Sequence, residues 1–245
     1  MQDNLVYPPL DTLKPVAPDV WIVDSGPLHA MGLAVPVRMT VIRLKSGETW
    51  LHSPTRYDDG LRREIERVGP IRHLVAPNIA HWTFVKDWQQ KCPGAVTWAA
   101  PGLRQRSQVK SSGVVFQHDL GRAAPSDWAD DIEQQVVPGG FGVNEVAFLH
   151  RPTRTLVLTD LIENLEPEKL PVLMRPLVRL AGAMAPDGKA PAHLRFAINR
   201  KRQPAAEAAR RLLDWQPERV IFAHGRWFES DGTAQLRRSF RWLVD

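Results

Sequence analysis

Four apolar segments of this chain stop abruptly at residues able to bind a metal. Trp50-Leu51 runs into His52, His73-Leu74-Val75 leads to Asn78 and His81, Leu156-Val157-Leu158-Thr159 ends at Asp160, and Val220-Ile221-Phe222-Ala223 ends at His224-Gly225. Imidazole nitrogens and carboxylate oxygens are ligands for Zn²⁺, Fe²⁺ and Mn²⁺, and a mixed set with one open position suits chemistry on a bound small molecule. In open α/β arrangements the C-terminal ends of neighbouring strands form a mouth where loops converge over a packed core. Convergence of these four ends would therefore make a site.

The elements that must position these ends follow from periodicity. Val20 to Val23 reads as a short strand before a Gly/Pro loop around Gly26 and Gly32. Val37 to Leu44 alternates apolar and polar residues and pairs, through Lys45-Ser46-Gly47-Glu48, with Thr49 to Leu51 as a β-hairpin. Leu61, Ile65 and Val68 recur at helical spacing after Asp58-Asp59, and Gly69-Pro70 stops that helix. A strand at Ile71 to Val75, a helix from near Ala80 to Gln90 and a strand at Val96 to Trp98 form a repeated unit that implies parallel pairing. Further strands are expected at Val114 to Gln117 and Ile132 to Val137, and a second hairpin joins Glu145 to Leu149 with Thr155 to Leu158. Pro167 to Arg202 is Pro-rich, basic and helix-like in patches, which marks a helical insertion or lid near 165–202. An amphipathic helix at Ala205 to Leu213, a buried strand at Arg219 to Ala223 and a closing helix at Ala234 to Leu243 complete the chain.

Composition narrows the function classes. A chain of 245 residues, 43% hydrophobic and 24% charged, is expected to form one globular domain over 1–245, with irregular structure confined to the first dozen residues. The net charge of +5 comes from 32 basic residues interspersed among 27 acidic ones, without a basic arm, so no nucleic-acid partner is expected. Cys92 is the single cysteine, which excludes an internal disulfide framework and a cysteine-based zinc cluster and points to a reducing, cytoplasmic setting. Met1 to Pro18 has neither a basic nor an apolar leader segment, and no run of eighteen apolar residues exists to span a membrane.

The order of these elements, the strand ending in Thr159-Asp160-Leu161 before a helix-rich insertion, and the late strand ending in Ala223-His224-Gly225 resemble the metallo-β-lactamase fold over most of the chain. That resemblance implies an α/β, αββα sandwich. In the family a His-x-His-x-Asp-His motif follows an early strand, a further His sits in a Gly-His turn, an Asp bridges two metals and a last His precedes Gly. Asp160 matches the bridging Asp and His224 the last His. With His81 as the final His of the motif, Ala76 and Asn78 stand at its first two His positions and Ala80 at its Asp, the group that binds one metal and helps deprotonate the attacking water. Gly140 is followed by Phe141 where the turn has His. The pattern Pro77-Asn78-x-x-His81, with Glu145 before an apolar strand, is similar to an uncharacterised branch of the family carrying a domain-of-unknown-function label.

The resemblance thus implies one divalent ion, zinc or iron, in place of a dinuclear centre. Its expected ligands are His81, Asp160 and His224, with Asn78, Glu145 and His52 placed by motif position to assist. Trp82 beside His81 and Trp227 just after His224-Gly225 are expected to wall a pocket for a small-molecule ligand. The implied activity is hydrolysis of a small ester or thioester through metal-bound water, and no catalytic side chain is named. Two other readings stay open: a non-catalytic relative that binds a ligand or partner, and an iron-dependent redox protein. Ser53 lacks a Gly-x-Ser-x-Gly turn and is given no nucleophilic role. His29, His73, His118, His150 and His193 are read as structural or solvated. Leu170 to Met184, with Arg175 and Arg179 among apolar residues, reads as a lid, an oligomer contact or an interfacial helix.

Overall fold

Strand alternation explains how the chain forms layers. A computed structural model describes residues 5–30 and 33–245. Its elements run β1 (Lys14–Ala17), β2 (Val20–Ala30), β3 (Leu33–Arg43), β4 (Thr49–His52), α1 (Asp59–Val68), β5 (Ile71–Ala76), α2 (Val85–Lys91), β6 (Val96–Ala99), α3 (Ser107–Ser112) and β7 (His118–Asp119). There follow β8 (Ile132–Pro138), β9 (Asn144–His150), β10 (Thr155–Val157), β11 (Glu163–Asn164), α4 (Arg175–Ala181), α5 (Ala192–Asn199), α6 (Arg202–Asp214), β12 (Arg219–Ile221), β13 (His224–Gly225) and α7 (Gly232–Val244). Strands β1 to β7 form one sheet in sequence order, β12-β10-β9-β8 a second, and β11 pairs with β13.

Successive residues of each strand point to opposite faces. On the first sheet Met39, Val41, Leu51 and Leu74 pack under Leu61 and Ile65 of α1 and Val85 and Trp88 of α2. The other face carries Ile42, Trp50 and Val75, which meet Val146, Phe148, Val157 and Ile221 of the second sheet. The residues between those, Ala147, Leu149, Leu156 and Val220, turn outward against Leu212 of α6 and Leu236 and Phe240 of α7. The result is the expected helix–sheet–sheet–helix order. Parallel pairing joins β4 to β5, β5 to β6 and β10 to β12, so the strand ends that carry the candidate ligands point the same way within each sheet.

Several boundaries depart from the sequence reading, each for a local reason. The strand expected at Val20 to Val23 continues to Ala30, because a bulge between Ser25 and Leu28 absorbs Gly26-Pro27 where a loop was expected; Gly32 lies outside the described residues. The helix expected from Ala80 begins only at Val85, since the Asn78 side chain takes the backbone N–H groups of Ala80 and His81 at 2.8 and 2.9 Å into a turn. Val114 to Gln117 does not form the expected ladder: Gln89 accepts from the Val115 N–H and Gln117 accepts from the Thr97 N–H, and pairing resumes at His118. Of the lead-in expected to be irregular, residues 1–4 lie outside the described residues, while Leu5 is buried against Leu165, Leu170, Val178 and Met184 of the segment expected as an insertion. No helix among the described residues is long and apolar enough to cross a membrane.

Phe148 is fully buried between the sheets, edge-on to Trp50 at 4.9 Å and to His52 at 5.5 Å. Truncation there leaves a cavity that two rigid sheets cannot collapse, so Phe148→Ala is expected to cost about 3–5 kcal/mol, measured as a fall in the urea midpoint at unchanged slope.

Candidate metal centre

The two imidazoles and the carboxylate of the three principal candidates converge. His81 Nε2 lies 3.0 Å from Asp160 Oδ1, His224 Nε2 lies 3.2 Å from the same oxygen, and the two Nε2 atoms are 3.3 Å apart. Among the described residues this is the one group of three or more His, Cys, Asp or Glu side chains close enough to share an ion. A tetrahedral ion with bonds of about 2.0–2.1 Å needs ligand atoms roughly 3.3 Å apart, so the donor set fits without rearrangement.

Each candidate ligand is oriented from behind. His224 Nδ1 donates to the Pro36 carbonyl of β3 at 2.7 Å, which directs Nε2 at Asp160 and His81. His81 Nδ1 is 2.6 Å from Ser53 Oγ. Ser53 follows β4 with φ of 54°, a left-handed conformation uncommon for a residue with a side chain. Asp160 Oδ2 accepts from Asn78 Nδ2 at 2.7 Å, which turns Oδ1 toward the imidazoles.

The backbone around the ligands is held as firmly. Glu145 is buried, accepting from the N–H groups of Thr159 at 2.7 Å and Asp160 at 2.9 Å and from Asn78 Nδ2 at 3.3 Å. The Asn78–Glu145 bridge, with the Val146 N–H donating to the Pro77 carbonyl at 2.9 Å, ties the end of the first sheet to the second. Arg38 of β3 donates from Nη1 to the carbonyls of Phe222 at 2.8 Å and Gly225 at 2.9 Å, and its Nη2 pairs with Asp24 at 2.7 Å. That guanidinium pins the turn bearing His224. Gly225 is required there: its φ is +92° and an added Cβ would sit 2.2 Å from the Asn164 carbonyl.

Electrostatics follow from this crowding. Burial alone would raise the Asp160 carboxyl, but the charges and hydrogen bonds of His81 and His224 hold it well below the usual range. Burial works against charge on His224, yet the Asp160 hydrogen bond and charge push it up to about 9. Burial, with Asp160 nearby, raises Glu145. Glu163, opposite His224 in the β11–β13 pair, is pushed up to about 7 by burial, partly offset by His224. Asp160, Glu145 and Glu163 are thus gathered at a site whose basic side chains are imidazoles.

The other sequence candidates are placed differently. Glu145 and Asn78 lie beside the cluster but spend their polar atoms on backbone and on Asp160. His52 stacks on Trp50 at 5.6 Å, and its buried Nε2 has no hydrogen-bond partner. A cavity of about 530 Å³ opens over His81, Asp160 and His224. Neither Trp82 nor Trp227 lines it: Trp82 donates its indole N–H to the Ile79 carbonyl, and Trp227 packs between the cores. Sequence reasoning missed Ser53, Glu163 and His193, all of which line the cavity, and the buried Arg38–Asp24 pair. The signal for Ser53 was its place directly after the strand that ends in His52; Arg38 and Asp24 were charged residues inside otherwise apolar strands.

Asn78→Ala would free Asp160 to rotate while removing no ligand, and is expected to weaken metal binding by about 10–100-fold with unchanged circular dichroism. Burial, helped by His81, lowers the His52 imidazole to about 3. The unfolded chain takes up a proton there near pH 6.5 and the folded chain does not, so this contribution is present above 6.5 and lost as pH falls toward 3. His52→Phe is expected to flatten the decline of unfolding free energy across that window, by up to about 1.4 kcal/mol per pH unit.

A family profile described as a domain of unknown function (DUF4336) matches residues 18–189. No curated protein matches the chain. Solved structures similar to it include the metallo-β-lactamase FIM-1 from Pseudomonas aeruginosa in its mono-zinc form, at 18% identity over 94% of this chain and 93% of that one, TM-score 0.57. A metallo-β-lactamase from Hirschia baltica matches at 12% identity over 98% and 97%, TM-score 0.62. One from Pontibacter korlensis matches at 15% identity over 95% and 98%, TM-score 0.59. At these identities the likeness establishes the fold alone, a metallo-β-lactamase-like αββα sandwich, and the profile match across most of its length shows that the chain belongs to the DUF4336 family.

Proposed function

We propose that the chain holds one divalent ion, zinc or iron, on His81 Nε2, Asp160 Oδ1 and His224 Nε2, and hydrolyses a small ester or thioester in the adjoining cavity. The observation that carries this reading is the convergence of those three atoms at 3.0, 3.2 and 3.3 Å. A bound ion supplies a Lewis acid that polarises a carbonyl and a water acidified toward neutrality. Ser53 and the Pro36 carbonyl hold the two rings in register, Asn78 keeps Asp160 from turning away, and the apolar cavity wall limits competing water.

Asn78 also favours one ion over two. It stands at the second His position of the eroded motif, and its amide N–H groups donate to Thr159, Asp160 and Glu145. A hydrogen-bond donor there meets the acidic groups that a second cation would otherwise satisfy. A single free cysteine is in keeping with a reducing, cytoplasmic setting.

Metal analysis of protein purified without chelator is expected to give about one ion per chain, falling below a tenth in Asp160→Ala. Hydrolysis of p-nitrophenyl acetate is expected to drop with it by at least about a hundredfold, the loss of several kcal/mol of carbonyl polarisation. Wild-type protein with far less than one ion, or an Asp160→Ala variant of unchanged turnover, overturns the reading. One ion per chain without any ester turnover would favour a non-catalytic binding protein on the same fold.

A further inference from the structure

The cavity over the cluster separates into two chemistries. Its polar groups gather around His81, Asp160, Glu163 and His224. Its remaining wall is largely aliphatic, drawn from Leu28, Val35 and Val37 of the β2–β3 hairpin on one side and from Leu165, Leu177 and Val178 on the other. The latter three belong to the segment between β11 and α5. No Lys or Arg lines the cavity among the described residues; its basic side chains are His81, His193 and His224, and its acidic ones Asp160 and Glu163.

Those facts select a ligand. A carboxylate or phosphate placed against the aliphatic wall would lose its hydration with no Lys or Arg there to pair with, which is among the most costly arrangements in a protein interior. A hydrocarbon chain meets the opposite situation. Leu177 faces the cavity yet is 59% exposed, so a chain lying along it removes apolar surface of both partners from water. A volume of about 530 Å³ is in the range that encloses a small organic molecule.

We infer that this cavity takes the hydrocarbon chain of an uncharged, medium-chain carboxylic ester, with the ester carbonyl toward His81, Asp160 and His224. The inference rests on the hydrolytic reading for the fate of the ester and is independent of it for binding. Leu28, Val35, Leu165 and Leu177 act as specificity-determining residues: they reward chain length and admit no charge.

Isothermal titration of the chain, treated with chelator, tests this with methyl butanoate, methyl hexanoate and methyl octanoate and with the matching free acids, at about pH 8 where the acids are ionised. Each methylene moved from water into such a wall favours binding about fourfold, so each added pair is expected to tighten binding about fifteenfold until the cavity is filled. The free acids are expected to bind at least about tenfold more weakly than their esters. Leu177→Asp places a charge on the wall and is expected to lose at least about tenfold, whereas Leu173→Asp, at a residue 88% exposed and outside the cavity, leaves affinity unchanged. Affinity independent of chain length, acids bound as tightly as esters, or a Leu177→Asp variant that binds like wild type overturns the assignment. Chain-length-dependent ester binding by a protein that takes up no metal would remove the hydrolytic reading and leave this one standing. Metal uptake and ester turnover without chain-length dependence would do the reverse.

Discussion

A buried carboxylate holds the site together. Glu145 lies on β9, inside the sandwich, and its two oxygens accept the N–H groups of Thr159 and Asp160 and one hydrogen of the Asn78 amide. Hydrogen bonds to a charged group contribute about 1.5–3 kcal/mol each, and three of them offset part of the cost of taking the carboxylate out of water. The loop after β10 can present Asp160 only because this acceptor gathers its backbone. The Asn78 side chain links the loop to the end of β5 and caps the turn from which His81 projects. Removing the acceptor would strand two buried N–H groups and uncouple the sheets at the point where the ligands meet.

That arrangement sets an electrostatic problem that a cation solves. Two carboxyls, buried Glu145 and half-buried Asp160, are adjacent, and each raises the cost of charge on the other. His81 and His224 counter Asp160, and His224 is driven toward its charged form in doing so. Three lone-pair-bearing atoms within about 3.3 Å of one another are awkward neighbours unless a proton or a metal ion sits among them. The Arg38 guanidinium, by contrast, is already committed to Asp24 and to two carbonyls of the 222–225 turn, so its charge stabilises the scaffold and not the ligands.

The site and the cavity divide the work between two parts of the fold. Strand ends of the rigid sandwich place the polar atoms, while the β2–β3 hairpin and the segment after β11 supply a wall with few polar groups. Relative to the family motif that the chain resembles, the acid at position 80 is an alanine and the position-78 imidazole an amide. What is kept is a His-His-Asp cluster that could hold a metal ion; what stands at position 78 is an amide that hydrogen-bonds the neighbouring loops.

Binary patterning determined the layers in advance, because strand alternation and helical spacing report which faces must be buried wherever the chain is. His81, Asp160 and His224 were legible for the same reason: polar residues at the ends of apolar strands stand out against their surroundings. Tertiary structure alone decided that Glu145 is a buried backbone acceptor, since its donating partners lie 14 and 15 residues away in sequence and no local pattern couples them. It alone decided that Trp82 and Trp227 pack into the body of the protein while Leu177 and Glu163 face the cavity, because a cavity wall is assembled from segments more than a hundred residues apart. It alone decided the role of Ser53, whose hydroxyl meets His81 across 28 residues. Side-chain type and spacing carry the chemistry a residue can do; which partner it does it with depends on distances that only the folded chain sets.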